Sequence, residues 1–396
     1  MMESRLLLFR RGYIMSAVYS PTLEFLQLAR IRELLRLPGP CVTILLPPYR
    51  PGDSAGTAAT ALRSHVQVAA KQLAERSVGK SAIAELLDPI EKLAESSAGS
   101  HRSQLILRSP GAVRQFFLVQ PMKDALRVGG CFSIRRLLPQ LGCSPVFYLL
   151  AISKARVDLL RCSNFQAESV KLPGGVESTL IEALELEQPD HTLVNRSSAG
   201  AFVGTMKGVR FGTGGERENT RGHLTDFYKS VDRGVQEVIG NSGAPLILAG
   251  VDEDVSFYRA ASTARGLLRK SIPGSPSLER DEPEILKQAY EILRGDLIEQ
   301  QTAAVRAARE RSDPARFATD PGAILRAAFE GRVERLYINE SAEMPYVFER
   351  GTYHSWGQED LLNLAAVQTL IHHGSAWELP ASSLPEKAAA AAVLRF

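Results

Sequence analysis

A glycine- and arginine-rich stretch in the middle of the chain is the segment best suited to chemistry. It reads RFGTGGERENTRG and spans residues 210–222. Glycine reaches backbone angles that are closed to other residues and lets another molecule approach the main chain closely. Arginine offers a planar fork of donors that matches phosphate. Because Gly214 and Gly215 stand just before a helical pattern, the combination predicts a mobile tip that meets a polyanion.

Four cations around these glycines are candidates for contact with RNA. They are Lys207, Arg210, Arg217 and Arg221. Lys207 and Arg210 have no acid near them in the sequence, whereas Arg217 and Arg221 lie four residues apart and so share one face of a helix. Acidic residues of the same region offset most of the positive charge. A solvated helix face with surface ion pairs is therefore the alternative to an RNA contact.

Two further interpretations of the glycines compete with RNA binding. A nucleotide-binding P-loop does not fit, because no Gly-Lys-Ser/Thr ending follows and no strand leads directly into the glycines. An ordinary flexible connection before a helix remains open, since short glycine clusters usually mark turns.

The remaining polar groups favour structural roles. The four cysteines are Cys41, Cys131, Cys143 and Cys162. Their wide spacing contains no CxxC pair, which predicts buried free thiols rather than a metal or redox site.

The acids at 252–254 follow an apolar strand and are interpreted as first-turn residues of a helix. His372 and His373 precede Gly374 and indicate the end of a helix. The sequence predicts neither a metal nor a cofactor.

Composition narrows the class of protein. Hydrophobic residues make up 44% of the 396 residues and charged residues 23%, which is typical of a folded globular protein. The formal net charge is +3, too small to indicate nucleic-acid binding by itself, so any basic surface must be local. No apolar run approaches the ~20 residues that span a bilayer, and the apolar core near the start is too short for a signal peptide. We therefore expect a cytoplasmic protein that does not enter a membrane.

Alternating strand and helix patterns divide the chain into three α/β domains, as its length leads one to expect. The middle domain contains a hairpin, the glycine stretch, an amphipathic helix and the apolar strand APLILAGV. The segment SIPGSPSLERDEP is rich in proline and polar residues and is the predicted linker. The predicted boundaries are an N-terminal extension at 1–22, an N-terminal domain at 23–142, a middle domain at 143–270, the linker at 271–283 and a C-terminal domain at 284–396.

Several of these stretches, taken in order, resemble the archaeal and eukaryotic class 1 release factor superfamily, which includes the Pelota ribosome-rescue proteins. The chain looks most like the bacterial branch of that superfamily. The resemblance rests on the Gly214-Gly215 loop, the helix behind it and the run APLILAGVDEDVSFYRA. It also rests on AAFEGRVERLYINES, DLLNLAAVQTLIHHG and the ending AAAAAVLRF.

The resemblance implies a fold and a set of partners. The middle domain would have an RNase H-like fold and point its glycine loop at the peptidyl-transferase centre of the ribosome. The C-terminal domain would be an α/β/α sandwich, similar to kink-turn-binding ribosomal proteins, and would contact a translational GTPase. The ribosomal A site, built of ribosomal RNA, would be the place of binding.

Two departures from the family pattern shape the predicted function. Glu216 stands where release factors have glutamine. It keeps the backbone N–H donor to which catalysis in that family is attributed. Its carboxylate, however, cannot donate a hydrogen bond and is costly to desolvate. The helical run HVQVAAKQLAER lacks the family's Asn-Ile-Lys-Ser decoding element. We therefore expect a factor that occupies the A site of stalled or idle ribosomes, in rescue or hibernation, without reading stop codons. The alternatives are a peptidyl-tRNA ester hydrolase that uses Gly214, Gly215 and Glu216, and an RNA-binding protein that acts away from the ribosome.

Overall fold

The computed structural model describes most of the chain in two compact units. The described residues are 24–25, 28–48, 57–96, 102–118, 120–141, 146–153, 156–163, 166–173, 215–274, 278–311, 314–346 and 359–396. The first unit combines Met1–Cys143 with Leu297–Phe396, and the second unit is Ser144–Asp296. Within the described ranges, no helix is both long enough and apolar enough to cross a membrane.

A five-stranded sheet with flanking helices forms the N-terminal part of the first unit. Its elements are β1 (Glu24–Phe25), α1 (Leu28–Leu35), β2 (Cys41–Leu46), α2 (Thr57–Glu75), α3 (Lys80–Ser96), β3 (Gln104–Ser109), β4 (Ala112–Phe117), β5 (Ala125–Gly129) and α4 (Leu138–Leu141). The strand order is β1-β4-β3-β2-β5, and only the β1–β4 pair is parallel. Alternate residues of β2, Val42 and Ile44 among them, pack against α2 and α3. The sheet therefore has one face covered by these two helices.

The second unit is built on another five-stranded sheet. Its elements are β6 (Val146–Ile152), β7 (Val157–Ser163), β8 (Gln166–Val170), α5 (Gly215–Ile239), β9 (Leu246–Gly250), α6 (Asp252–Ala261), β10 (Leu267–Pro273) and the first part of α7 (Leu278–Arg311). The strand order is β10-β9-β6-β7-β8, in which only β7 runs antiparallel to its neighbours. This is the sheet of the RNase H-like fold that the resemblance implies. The predicted hairpin and the predicted strand within APLILAGV are both confirmed.

Helices cover both faces of this second sheet. On one face, α5 and α6 pack against apolar residues of β6, β7 and β9. On the other face, the ring of Phe147 meets the ring of Tyr290 from α7 edge to face, with centroids 5.1 Å apart. Continuous apolar strands such as β9, which is buried along its whole length, are typical of a sheet covered in this way.

The predicted linker at 271–283 is corrected by the structure. Strand β10 continues to Pro273, and α7 begins at Leu278, so regular elements occupy both ends of the segment. The segment was predicted as a linker because its composition is polar, although the helix begins within it. Helix α7 is stabilised by the burial of Ile285 and Leu286, which retain 4% and 3% exposure and lie just beyond the predicted linker.

The C-terminal part of the first unit is an α/β/α sandwich. Its further elements are β11 (Phe317–Ala318), α8 (Pro321–Phe329), β12 (Val333–Asn339), β13 (Pro345–Tyr346), β14 (Glu359–Asp360), α9 (Leu361–Ile371), β15 (Ser375–Leu379) and β16 (Ala390–Leu394). The main sheet has the order β11-β16-β12-β15. Helices α8 and α9 cover one face, whereas Val305 and Ala308 of α7 pack on the other. His372 caps the C-terminal end of α9, as its position before His373 and Gly374 predicted.

One hydrophobic core joins the N-terminal and C-terminal parts of the first unit. Ile31 and Phe132 lie in the same buried cluster as Ile324 and Leu362. The side chain of Asn363 extends this contact through polar atoms: its Oδ1 accepts from the backbone N–H groups of residues 134 and 135 at 2.8 and 3.1 Å, and its Nδ2 donates to the carbonyl of residue 132 at 3.0 Å. The structure thus groups the chain differently from the three predicted domains, because residues 297–396 form one unit with the N-terminal part, whereas 284–296 belong to the second unit. The mixed α/β class is confirmed.

Candidate functional site

The predicted site residues fall at the beginning of α5 or before it. Gly215 is the first residue of the helix, and Glu216, Arg217 and Arg221 lie in its first two turns. Lys207, Arg210 and Gly214 lie outside the described residues. The backbone therefore brings the second glycine and two of the candidate cations to one end of a single helix.

This end of α5 has the chemistry of a helix N-terminus. The first four backbone N–H groups of a helix have no partner within the helix, and the helix dipole adds partial positive charge there. Together they favour anions, phosphate groups included. The backbone N–H of Glu216 is one of the four. A carboxylate in the first turn is also favoured by the dipole, which gives Glu216 a structural reason to be acidic.

The apolar face of α5 fixes the direction of the helix. Over its 25 residues α5 is about 37 Å long. Leu224, Phe227, Tyr228, Val231 and Val235 retain at most 3% exposure. This is the spacing that predicted the helix. The part of α5 from Leu224 to Val235 is therefore firmly packed on the sheet.

A buried carboxylate ties α5 to α6. The Oδ1 atom of Asp232 accepts hydrogen bonds from the Tyr258 hydroxyl at 2.9 Å and from the Ser262 hydroxyl at 2.6 Å. Its Oδ2 atom accepts from the backbone N–H of Thr263 at 3.0 Å and from the Thr263 hydroxyl at 3.2 Å. Asp232 is only 3% exposed, so these four donors replace the water that the charge has lost.

A second tyrosine and a second aspartate lie on the same two helices, without a hydrogen bond to the Tyr228 hydroxyl or to Oδ1 of Asp254 from the described residues. Tyr228 lies on α5 four residues before Asp232, and Asp254 lies on α6 four residues before Tyr258. Burial raises the pKa of Tyr228, and the nearby carboxylate of Asp254 raises that pKa further. Burial and then Asp232 likewise raise the pKa of Tyr258. The rings of the two tyrosines meet edge to face at 6.2 Å. We call this group of four residues the Tyr–Asp clamp.

The sequence predicted the position of one clamp residue but not its role. Asp254 lies in the first turn of α6 together with Asp252 and Glu253, as predicted. Its 3% exposure distinguishes it from its two exposed neighbours. The available signal was a tyrosine and an aspartate at a spacing of four on both helices, which places each pair on one helix face.

A cleft in the first unit is the other place where charged side chains converge. Its volume is about 900 Å³, and residues of the stretch 129–134 line it together with residues of the C-terminal part. Arg135, which is buried, is paired with Asp360 and Glu378 at 3.4 and 3.3 Å. The other charged lining residues are Arg76, Arg127, Arg136, Glu75, Glu340 and Glu343. Three cations face three carboxylates, so this cleft does not select a polyanion.

The thiols and the acids of the described residues show no metal-ligand pattern. Cys41 and Cys162 are buried free thiols, and Cys131 is half-buried. Cys143 lies outside the described residues. Across the described ranges, no group of three or more His, Cys, Asp or Glu side chains converges closely enough to hold a metal ion.

Comparison with known proteins relates the middle of the chain to one family. Residues 146–332 match the model of the bacterial archaeo-eukaryotic release factor family 3. The match contains the whole of α5, α6 and the sheet of the second unit. The predicted class is therefore confirmed as a likeness: over these residues the chain is similar to the bacterial branch of the archaeo-eukaryotic release factor superfamily.

Solved structures of that superfamily are similar to this chain at low sequence identity. The archaeal translation termination factor aRF1 is 13% identical, with 93% of this chain and 97% of that chain covered and a TM-score of 0.25. Pelota of Archaeoglobus fulgidus is 13% identical, with 75% and 80% covered and a TM-score of 0.37. Dom34 of S. cerevisiae, described as a translation termination-like factor, is 8% identical, with 72% and 74% covered and a TM-score of 0.32. No curated protein matches the chain.

Proposed function

We propose that this protein is a ribosome-associated, release-factor-like translation factor that occupies the A site of stalled or idle ribosomes. The match of residues 146–332 to the release factor family is the observation that carries the proposal. That region contains the glycine loop, the helix that begins at Gly215 and the clamp that holds this helix. The role is rescue or hibernation, because the chain lacks the family's decoding element.

In this proposal the start of α5 is the part of the protein that meets ribosomal RNA or tRNA. A helix N-terminus favours phosphate through its N–H groups and its dipole, and Arg217 and Arg221 add charge within the first two turns. Lys207 and Arg210 extend the contact on the other side of Gly214. The resemblance further assigns a translational GTPase to the C-terminal α/β/α part.

Binding to ribosomes, and its dependence on salt, tests the proposal. Each phosphate contact releases counterions, so affinity should fall steeply as the salt concentration rises. Arg217→Ala combined with Arg221→Ala should lower the slope of log K against log salt by roughly one unit per lost contact. The measurement is co-sedimentation with vacant ribosomes over a series of salt concentrations, with and without a tRNA in the A site.

Two outcomes would contradict the proposal. Binding that an A-site tRNA does not displace would place the protein elsewhere on the ribosome. Loss of ribosome binding together with retained binding to free RNA would favour an RNA-binding protein that acts away from the ribosome. Arg63→Ala combined with Lys71→Ala is the matched control, because both residues are exposed on α2 and the variant removes the same charge.

A further inference from the structure

We propose that the β10 edge of the second unit is a second RNA-binding surface, which holds a phosphate backbone independently of the glycine loop. The surface consists of Arg259, Arg265, Arg269 and Lys270, and we call it the β10 basic strip. It is not among the residues that the sequence singled out.

The charge of this strip is not offset locally in the sequence. Residues 255–277 contain four arginine or lysine residues and no aspartate or glutamate. In α5, by contrast, acidic residues stand among the cations: Lys229, for example, lies 3.1 Å from the carboxylate of Asp226. A run of cations without intervening acids produces a local positive potential, even in a chain whose overall charge is small.

Backbone geometry exposes the two cations that lie on β10 itself, Arg269 and Lys270. Strand β10 lies at the edge of its sheet. Its pairing with β9 shifts register between Leu267, which faces Leu246, and Ser271, which faces Leu248. Three residues of β10 therefore stand opposite a single residue of β9, which is a bulge, and bulges redirect side chains at sheet edges. Within this bulge Arg269 and Lys270 are both exposed although they are adjacent.

Arg259 stabilises the bulge from the neighbouring helix. Its Nη1 donates to the carbonyl of Leu268 at 2.8 Å. Arg265 and Arg269 are exposed. The planar forks of their guanidinium groups suit the two oxygens of a phosphate.

The spacing of the two exposed arginines suits a nucleic-acid strand. Arg269 lies four positions after Arg265, so at ~3.3 Å per residue their Cα atoms are at most about 13 Å apart. Two phosphates of one strand lie within such a distance, since phosphates follow one another every ~3.4 Å along the axis of each strand of a duplex.

Protection of the sheet edge is the competing explanation. Charged residues and bulges on edge strands prevent unwanted pairing between molecules, and the β10 basic strip contains both. The two explanations differ in what removal of the charge should do. RNA affinity falls if the strip binds phosphate, whereas self-association rises if the strip only protects the edge.

The test measures binding of the full chain to a labelled 20-nucleotide single-stranded RNA by fluorescence anisotropy over a series of salt concentrations. Arg265→Gln combined with Arg269→Gln should lower the slope of log K against log salt by about 1.4, at ~0.7 per lost contact for a single strand. Arg63→Gln combined with Lys71→Gln on α2 is the control with the same charge change, and it should leave the slope unchanged. Because the probe is free RNA, the outcome does not depend on ribosome binding.

Three results would overturn the inference. The first is an unchanged slope in the Arg265/Arg269 variant. The second is self-association of that variant in sedimentation velocity with RNA binding intact, which would leave edge protection as the role of the strip. The third is that the Arg265/Arg269 variant loses binding to polyglutamate of matched charge as strongly as it loses binding to RNA. That result would show a site for acidic chains in general.

Discussion

At the scale of single residues, the proposed function makes Glu216 the position that separates a factor that occupies the ribosome from one that hydrolyses an ester there. It lies in the first turn of α5, so its backbone N–H has no partner within the helix and its carboxylate is favoured by the dipole. A preorganised backbone donor can stabilise the developing oxyanion of ester hydrolysis. A carboxylate among tRNA phosphates opposes this stabilisation, because repulsion between like charges raises the free energy of placing the backbone N–H beside the ester.

We therefore predict that Glu216→Gln leaves ribosome binding unchanged or slightly tighter. The same substitution should raise peptide release from a low starting level, since it removes the charge and keeps the backbone donor. The measurement is release of labelled peptide from ribosomes that carry peptidyl-tRNA. Asp226→Asn, an exposed substitution on the same helix, is the control and should change neither quantity. Strong release by the unmodified protein that Glu216→Gln abolishes would instead make the carboxylate catalytic.

At the scale of elements, the Tyr–Asp clamp sets how α5 sits on α6 and hence where its N-terminal end is held. Asp232→Asn would place an amide donor beside hydroxyl and N–H donors in a dry site. Hydrogen bonds to a buried charge contribute about 1.5–3 kcal/mol each, and unsatisfied donors add a penalty. We expect local stability to fall by about 2–3 kcal/mol, whereas Tyr258→Phe should cost about 1.5 kcal/mol, because it removes one hydrogen bond and three donors to Asp232 remain.

Hydrogen exchange of residues 223–261 measures this effect where it occurs. Asp226→Asn on the same helix is again the matched control, because exposed ion pairs contribute little and should cost below about 1 kcal/mol. Equal losses in Asp232→Asn and Asp226→Asn would show that the buried carboxylate does not hold the two helices together.

Periodicity predicted the helices and strands near the site, whereas pairing across elements could not be predicted. Leu224 and Val231 recur at helical spacing, and that local pattern was enough to find α5. The contact of Asp232 with Tyr258 depends on α6 packing beside α5, which no local pattern encodes. The start of α7 at Leu278 was missed for the opposite reason, since its first residues are polar and its stability comes from the later burial of Ile285.

At the scale of the whole molecule, the first unit has the character of one folding unit made from two distant parts of the chain. Arg135 shows the connection: its Nη2 donates to the backbone carbonyls of Asn339 and Glu340 at 2.7 and 3.2 Å. Arg32 of α1 and Arg36, which follows the end of this helix, donate to the carbonyls of Gly374 and Ile371 at 3.1 and 3.2 Å. The sequence pattern could not reveal this, because the partners are more than 200 residues apart.

We predict that a fragment covering residues 284–396 does not unfold cooperatively on its own. Without the N-terminal part it would expose apolar residues of α8 and α9 that now belong to the shared core, and isolated apolar faces of this kind aggregate. Addition of a fragment covering 23–142 should restore a cooperative thermal transition. The fragment 144–296, which forms a compact unit by itself, is the positive control and should fold alone.

The substitution Asn363→Ala makes this prediction specific to the observed contact. It removes the partner of two N–H groups and one carbonyl in the N-terminal part, each of which costs about 1–3 kcal/mol when left buried and unsatisfied. Fragment 284–396 with Asn363→Ala should therefore associate with 23–142 at least tenfold more weakly, since 1.4 kcal/mol is a factor of ten. Asn339→Ala is the matched control, because that buried side chain bonds only to atoms of the C-terminal part. A fragment 284–396 that melts sharply alone, or equal effects of the two substitutions on association, would mean that the two parts fold separately and merely touch.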